Sequence, residues 1–332
     1  AIKTLTATAT PPVSRKPTQT DMTDYSDATP RGWLAFELSV LRRLRFRSLI
    51  NPFAGEPDLE THVKRWGVRV AANDAARWSW IKSIARVENN GERLSAGDLD
   101  TLLEDVYVPR HKLHNPALRR WFGETDAWWF DNLRVNAERL DGEIKQSLAL
   151  NLGMLTGDYA LSFDEGTREL RQPLSRVLRR LHETLAPPFD NGQPNTSANK
   201  DARRFIAEQR GDLLFLRLPA PARRGGASGR TALHAWREEW VRGGAEFWDE
   251  FEAAHAGQLG GRVETKQQYL TLVEELLEAA AHLKSWAIAH TEGGYTTTEE
   301  LVETIRRVRK VETVYTKDFS ELLGARATII TT

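Results

Sequence analysis

Cysteine is absent from this chain of 332 residues. That removes disulfide frameworks, thiolate metal sites and cysteine nucleophiles from consideration, and the expectation is a cytoplasmic chain. Net charge is also missing: 46 Lys and Arg stand against 46 Asp and Glu. The molecule as a whole therefore offers no field to draw in a polyanion, and any such attraction must come from local patches. No apolar run approaches the ~20 residues of a membrane helix, so no membrane partner is expected. There is no Gly-x-Ser-x-Gly elbow and no phosphate-binding glycine loop. His111 and His114 stand three apart without a nearby acidic partner, so they read as a surface pair and no metal is expected. Residues 1–28, rich in Thr, Ser, Pro and Asp without an apolar core, read as a polar, flexible tail rather than a signal peptide.

Ordered structure is expected from about Trp33. Apolar residues at helical spacing (Leu34, Phe36, Leu38, Leu41) predict a first helix through Leu44. A short apolar run, Ser48 to Ile50, stops at Asn51-Pro52, and Asp58 caps a helix that Gly67 ends. Val68 to Ala72 is a second strand, followed by a helix from Ala75 to about Glu88. Strand, helix, strand in this order is a βαβ unit of a parallel sheet. From 89 to 200 the patterns are mainly helical: Leu99–Val106, Ala127–Leu148 and Thr167–Leu185. Then come a helix over Asn199–Gln209, a strong strand at Leu213–Leu216, and long helices at Ala232–Ala256 and Lys266–Leu283. The end reads as a strand at Ser285–His290, a helix at Thr298–Arg309, and strands at Val311–Tyr315 and Arg326–Thr331.

The order of these parts resembles the Dam-like DNA adenine methyltransferases. Leu49-Ile50-Asn51-Pro52-Phe53-Ala54-Gly55 looks like that family's first motif, a strand ending in an acid and then Pro-Phe-x-Gly-x-Gly. Val70-Ala71-Ala72-Asn73-Asp74 looks like its second strand. Asn199, Asp201 and Asp212 to Leu216 look like the approach to its catalytic strand, and Ser285 to His290 with Glu299-Glu300-Leu301 like its late strand and helix. The resemblance implies a Rossmann-like α/β methyltransferase fold. Its sheet would be mostly parallel with an antiparallel C-terminal strand, the core would be residues 29–88 and 201–332, and a helical insertion at 89–200 would resemble a target-recognition region.

The same resemblance shows departures. Pro57 stands where the family's last loop glycine lets the backbone approach S-adenosylmethionine; proline fixes φ and removes a donor. Glu56 adds a carboxylate where the cofactor's own would come near, and Asn51 replaces the strand-terminal acid. Asp74 alone matches a cofactor contact, at the ribose hydroxyls. Any retained cofactor binding would use Asn51, Phe53, Gly55 and Asp74. The family's Asp-Pro-Pro-Tyr aligns with Arg217-Leu218-Pro219-Ala220. That motif must accept hydrogen bonds from the target amino group and stack on a flipped base; Arg217 accepts none and Ala220 has no ring. Thr29-Pro30-Arg31-Gly32-Trp33 keeps one Gly and one Arg of the basic opening motif. These changes point to a degenerate homologue with no cofactor, acting as a DNA-binding subunit or beside a protein partner such as an active methyltransferase subunit. Two other readings stay open: an active S-adenosylmethionine-dependent DNA adenine methyltransferase with variant motifs, and a nucleotide-modifying enzyme that reuses the cleft.

Arg203, Arg204, Arg217, Arg223, Arg224 and Arg230 form the basic cluster that the resemblance places at the sheet edge where the family admits substrate; it reads equally as a DNA contact and as solvated surface paired with the acids. Two further clusters, Arg42 to Arg47 and Arg306 to Lys310, read as solvated faces. Eleven tryptophans are many for this length, but pairs such as Trp128-Trp129 and Trp236/Trp240 read first as core or interface stripes and only second as base-stacking platforms.

Overall fold

Ser48–Asn51 is too short for a helix, and both its faces are apolar or buried; it forms β1, an interior strand of a seven-stranded sheet. The computed structural model describes residues 32–219, 234–292, 296–319 and 326–332. Around β1 lie β2 (Arg69–Asn73), β3 (Thr196–Ala198), β4 (Leu213–Arg217), β5 (Ser285–Glu292), β6 (Thr313–Asp318) and β7 (Arg326–Thr331). Their order is β3-β2-β1-β4-β5-β7-β6. The first five are parallel, and β7 is antiparallel to both of its neighbours. The sheet is thus mostly parallel with a reversed C-terminal strand, as expected.

Alternation along the strands splits the core in two. Ile50, Ala71, Leu214, Leu216, Trp286, Ile288 and Ile330 face one side, under α8 (Ala202–Glu208), α11 (Lys266–Ala279) and α12 (Thr298–Val308). Leu49, Val70, Leu213, Phe215, Ala287, Ala289 and Ile329 face the other, against α1 (Trp33–Leu41) and α2 (Asp58–Lys64). A sheet covered by helices on both faces needs such near-continuous apolar strands.

A third apolar cluster contains no strand residue. It joins α3 (Arg77–Ser83, extended by a π turn over Ile84–Glu88), α4 (Ala96–Leu102), α5 (Glu124–Ala137), α6 (Glu143–Leu161), α7 (Leu174–Thr184) and α9 (Ala235–Arg242). α9 follows β4 in sequence yet lays Trp236 and Trp240 into this cluster, both fully buried. Gly153 and Gly157 of α6 make room for them: a Cβ on Gly153 would lie 2.2 Å from the Trp240 ring, and one on Gly157 2.1 Å from the Trp236 ring. Trp240 Nε1 donates to Phe130 O at 2.8 Å, so the ring is satisfied as well as packed. Trp128 and Trp129 are buried here too. None of the four is a base-stacking platform; burial in one core corrects that option.

Several boundaries differ from expectation. The helix expected over Ala127–Leu148 is two helices, because the chain turns at Gly142 with φ of 86°. The one expected over Ala232–Ala256 stops at Gly243, whose φ of 81° closes α9 by donating to Glu239 O and Trp240 O; α10 (Trp248–His255) then begins anew. β3, three residues of small polar character, is an additional strand.

Gly157→Ala gains helix propensity worth about 1 kcal/mol but drives a methyl into Trp236, and overpacking of this kind costs about 1–3 kcal/mol. A net loss in urea midpoint is expected, partly relieved by Trp236→Phe in the same chain; additive effects of the two changes would show that the contact does not limit stability.

Candidate functional site

The strand order reverses between β1 and β4, so the crevice outside their carboxyl ends is where such a sheet receives a ligand. Asn51 closes β1, Asp74 follows β2 and Arg217 closes β4. The structure brings these three expected positions to one edge, as the order of motifs implied.

The loops after β1 and β2 are laced together. Ala54 N donates to Asn73 O at 2.9 Å, and Gly55 N to Asp74 Oδ2 at 2.8 Å. Asn73 Nδ2 donates to Pro52 O at 3.1 Å, and Ser79 Oγ to Gly55 O at 2.5 Å. Asp74 Oδ1 accepts from Ala76 N at 2.8 Å, so each carboxylate oxygen serves the chain's own backbone. Burial pushes the Asp74 carboxyl up to about 6, although the Ala76 and Gly55 amides pull it down. Asn199 Nδ2 ties the approach to α8 onto Asp74 O and Ala75 O.

Glu56 is partly exposed and ion-paired. Its carboxylate meets Lys82 Nζ at 2.7 Å, Arg86 at 2.9 Å and Arg237 at 3.4 Å. Arg237 also pairs with Asp158 and lies over the Trp78 ring, which stacks on His234. Lys82 is fully buried, and desolvation lowers its pKa against the attraction of Glu56. This cross-link joins the β1–α2 loop, α3 and α9.

At the end of β4, Arg217 turns inwards. Its Nε and Nη2 donate to the two oxygens of Glu37 at 2.9 and 2.8 Å, a bidentate pair. Glu37 projects from α1 and is wholly buried. Beside it, Asn51 Nδ2 donates to Glu60 Oε1, while Asn51 Oδ1 accepts from Phe53 N at 3.0 Å. Glu60 is buried and its second oxygen has no partner. Desolvation raises its carboxyl to about 7, with Arg217 pulling the other way. Tyr269 donates its hydroxyl to Pro219 O at 3.0 Å, fixing the chain after the strand.

Of the expected DNA-facing arginines, Arg217 is spent on this internal pair. Arg203 and Arg204 are exposed on α8 and pair with Glu275 and Glu208. Ala220, Arg223, Arg224 and Arg230 lie outside the described residues, as do residues 1–28 and Thr29 to Arg31. In the C-terminal basic cluster, Arg309 donates to three carbonyls at the end of α11 and covers Trp286. Among the described residues no group of His, Asp and Glu could hold a metal. Sequence reasoning missed Glu37, Glu60, Lys82, Asp158 and Arg237. Only Glu37 carries a visible signal: it is the single charge in the apolar stretch Trp33–Leu41.

The sheet order with its one reversed strand, the α/β layering and the crevice at the β1/β4 switch are consistent with a methyltransferase fold. Over 318 residues, 88% of this chain and 89% of the relative, the sequence is 22% identical to the Type II methyltransferase M2.HphI of Haemophilus parahaemolyticus. No protein-family profile matches the chain. The chain is therefore related, distantly, to a methyltransferase.

Glu60 keeps its proton up to about pH 7 when folded and releases it near 4.5 when unfolded. The stability this supplies is full below the unfolded value and is lost as pH rises through the folded one. Glu60→Gln suffers no such loss. Relative to wild type it should gain on the order of 3 kcal/mol between pH 4 and pH 8, read as diverging urea midpoints. Parallel profiles would mean that folding leaves the Glu60 carboxyl unshifted.

Proposed function

We propose that this chain is a degenerate DNA adenine methyltransferase homologue that transfers no methyl group and acts instead by binding DNA or a protein partner such as an active methyltransferase subunit. The observation that carries the reading is Arg217, standing where the resemblance calls for the catalytic acid and held by Glu37. A guanidinium accepts no hydrogen bond from a target amino group. It also opposes the positive charge of a sulfonium donor and of the nitrogen as it is alkylated.

The residues present do not fit S-adenosylmethionine. Asn51 offers no charge to an ammonium group and is committed to Glu60 and the Phe53 amide. Asp74, the one matching contact, has both oxygens on backbone N–H groups. Glu56 and the cations around it are committed to one another, Lys82, Arg86 and Arg237 all pairing with its carboxylate. The insertion at 89–200, which would carry recognition on this reading, packs into a full apolar core that it shares with α3 and α9. Similarity along most of both chains supports descent from an enzyme whose scaffold was kept.

Calorimetric titration with S-adenosylmethionine at high protein concentration, at two temperatures, should give no binding heat. Tritium-labelled cofactor should leave no label on duplex or single-stranded DNA. Micromolar affinity or label above background would overturn the proposal and bring forward the active-enzyme reading.

A further inference from the structure

Between Val106 and Gly123 the chain contains no acidic residue, while it carries Arg110, His111, Lys112, His114, Arg119 and Arg120. All six are exposed. Among the described residues Arg110, Lys112 and Arg119 have no ion-pair partner within 4.0 Å, whereas Arg120 pairs with Glu239 at 3.7 Å and lies over the Trp121 ring. In a chain whose charges balance overall, this is a segregated cationic surface.

The loop is held rigidly from beneath. Three polar side chains of α5 lie buried inside an apolar cluster to do so. Asp131 accepts from His114 N at 2.7 Å and from Asn115 N at 2.9 Å. Asn132 Nδ2 donates to the carbonyls of Val106 and Val108 at 3.1 and 3.0 Å. Asn136 Nδ2 donates to those of Leu102 and Glu104 at 3.2 and 2.8 Å. Asn115 caps the turn over Pro116–Arg120 and donates to Glu239 O at 2.9 Å. Val106, Leu113 and Leu118 bury their side chains between these anchors. Burying polar groups is costly unless they are hydrogen-bonded; these amides and the Asp131 carboxylate are, while Asn132 Oδ1 is left without a partner. The return is a backbone fixed in place before any ligand arrives, so that less ordering is needed on binding.

We infer that the loop from Tyr107 to Trp121 is a preorganised phosphate-contacting surface for duplex DNA, an inference that rests on the DNA-binding form of the function proposed above. Arg110, Lys112 and Arg119, on a fixed backbone and without a carboxylate partner, match a regular array of phosphates. A single strand would call for exposed stacking rings, and Tyr107 is the one large aromatic exposed on this loop, with its hydroxyl engaged by Ser175 N at 3.3 Å. The basic clusters singled out from the sequence did not include this one.

The test is fluorescence anisotropy with a labelled 30-base-pair duplex of mixed sequence across a salt series. It uses the full chain, the double variant Arg110→Glu with Lys112→Glu, and a charge-matched control on α12, Arg306→Glu with Arg307→Glu. The loop variant should bind at least about tenfold more weakly at 0.1 M salt, with the log–log salt slope reduced by about two, while the control binds nearly as wild type. Thermal melts matching wild type show that the exposed changes leave the fold intact. Equal weakening of both variants, or an unchanged slope in the loop variant, overturns the inference even if the chain binds DNA. Tighter binding to the corresponding single strand overturns its duplex part. Failure of the wild type to bind duplex at 50 mM salt overturns both it and the DNA form of the proposed function, leaving the protein-partner form. Methyl transfer with an intact loop effect overturns only the pseudoenzyme reading.

Discussion

A charged arginine at the carboxyl end of β4 obliges the fold to bury an acid opposite it. Glu37 meets that demand from α1 with two parallel hydrogen bonds. Neither group is tolerable alone at this depth: removing one partner of a buried pair costs roughly 3–5 kcal/mol, because the other charge is left desolvated. The pair therefore fixes α1 against the sheet, and α1 in turn seals that face with Trp33, Phe36, Val40 and Leu41. Burial also works against ionising Glu60 next door, and the Arg217 field is what keeps its carboxyl from rising further. The carboxyl edge of the sheet, the place a ligand would enter, has become part of the protein's interior electrostatics.

The rest of the crevice follows the same logic. A carboxylate such as Glu56 is stable beside a half-buried loop only when cations surround it, and Lys82, Arg86 and Arg237 arrive from two different helices to do that. On the reading proposed here, groups that a cofactor would have satisfied are satisfied instead by the chain. Such a crevice can hold its shape without a ligand.

Which parts were legible beforehand depends on how local their causes are. β1, β2, β4, β5 and β7 declared themselves because strands buried on both faces must be apolar along their whole length. β3 did not: Thr196-Ser197-Ala198 has no apolar pattern, and it pairs only because β2 offers a free edge. α5 and α6 merged in the sequence because a helix apolar on most sides has weak periodicity, and only the backbone turn at Gly142 separates them. The positions Asn51, Asp74 and Arg217 were legible through the order of motifs. Their partners were not. Glu37 lies 180 residues from Arg217 and Arg237 lies 181 from Glu56, and no spacing rule links residues so far apart.

One turn of α9 connects the features that matter most. Arg237 reaches Glu56 in the crevice. Glu238 accepts from Arg77 N and Trp78 N at the start of α3, both at 2.9 Å. Glu239 accepts from Trp121 Nε1 and takes Asn115 Nδ2 on its carbonyl, gripping the basic loop. Three consecutive residues thus tie the β1–α2 loop, α3 and residues 115–121 to one rigid helix, whose Trp236 and Trp240 are locked against α6. A crevice that no longer served chemistry would be free to drift if nothing else leaned on it. Here it anchors α9, and α9 sets where the basic loop stands relative to the sheet. On the reading proposed here, that dependence gives a physical reason for a scaffold to keep its crevice charges paired without a reaction to serve.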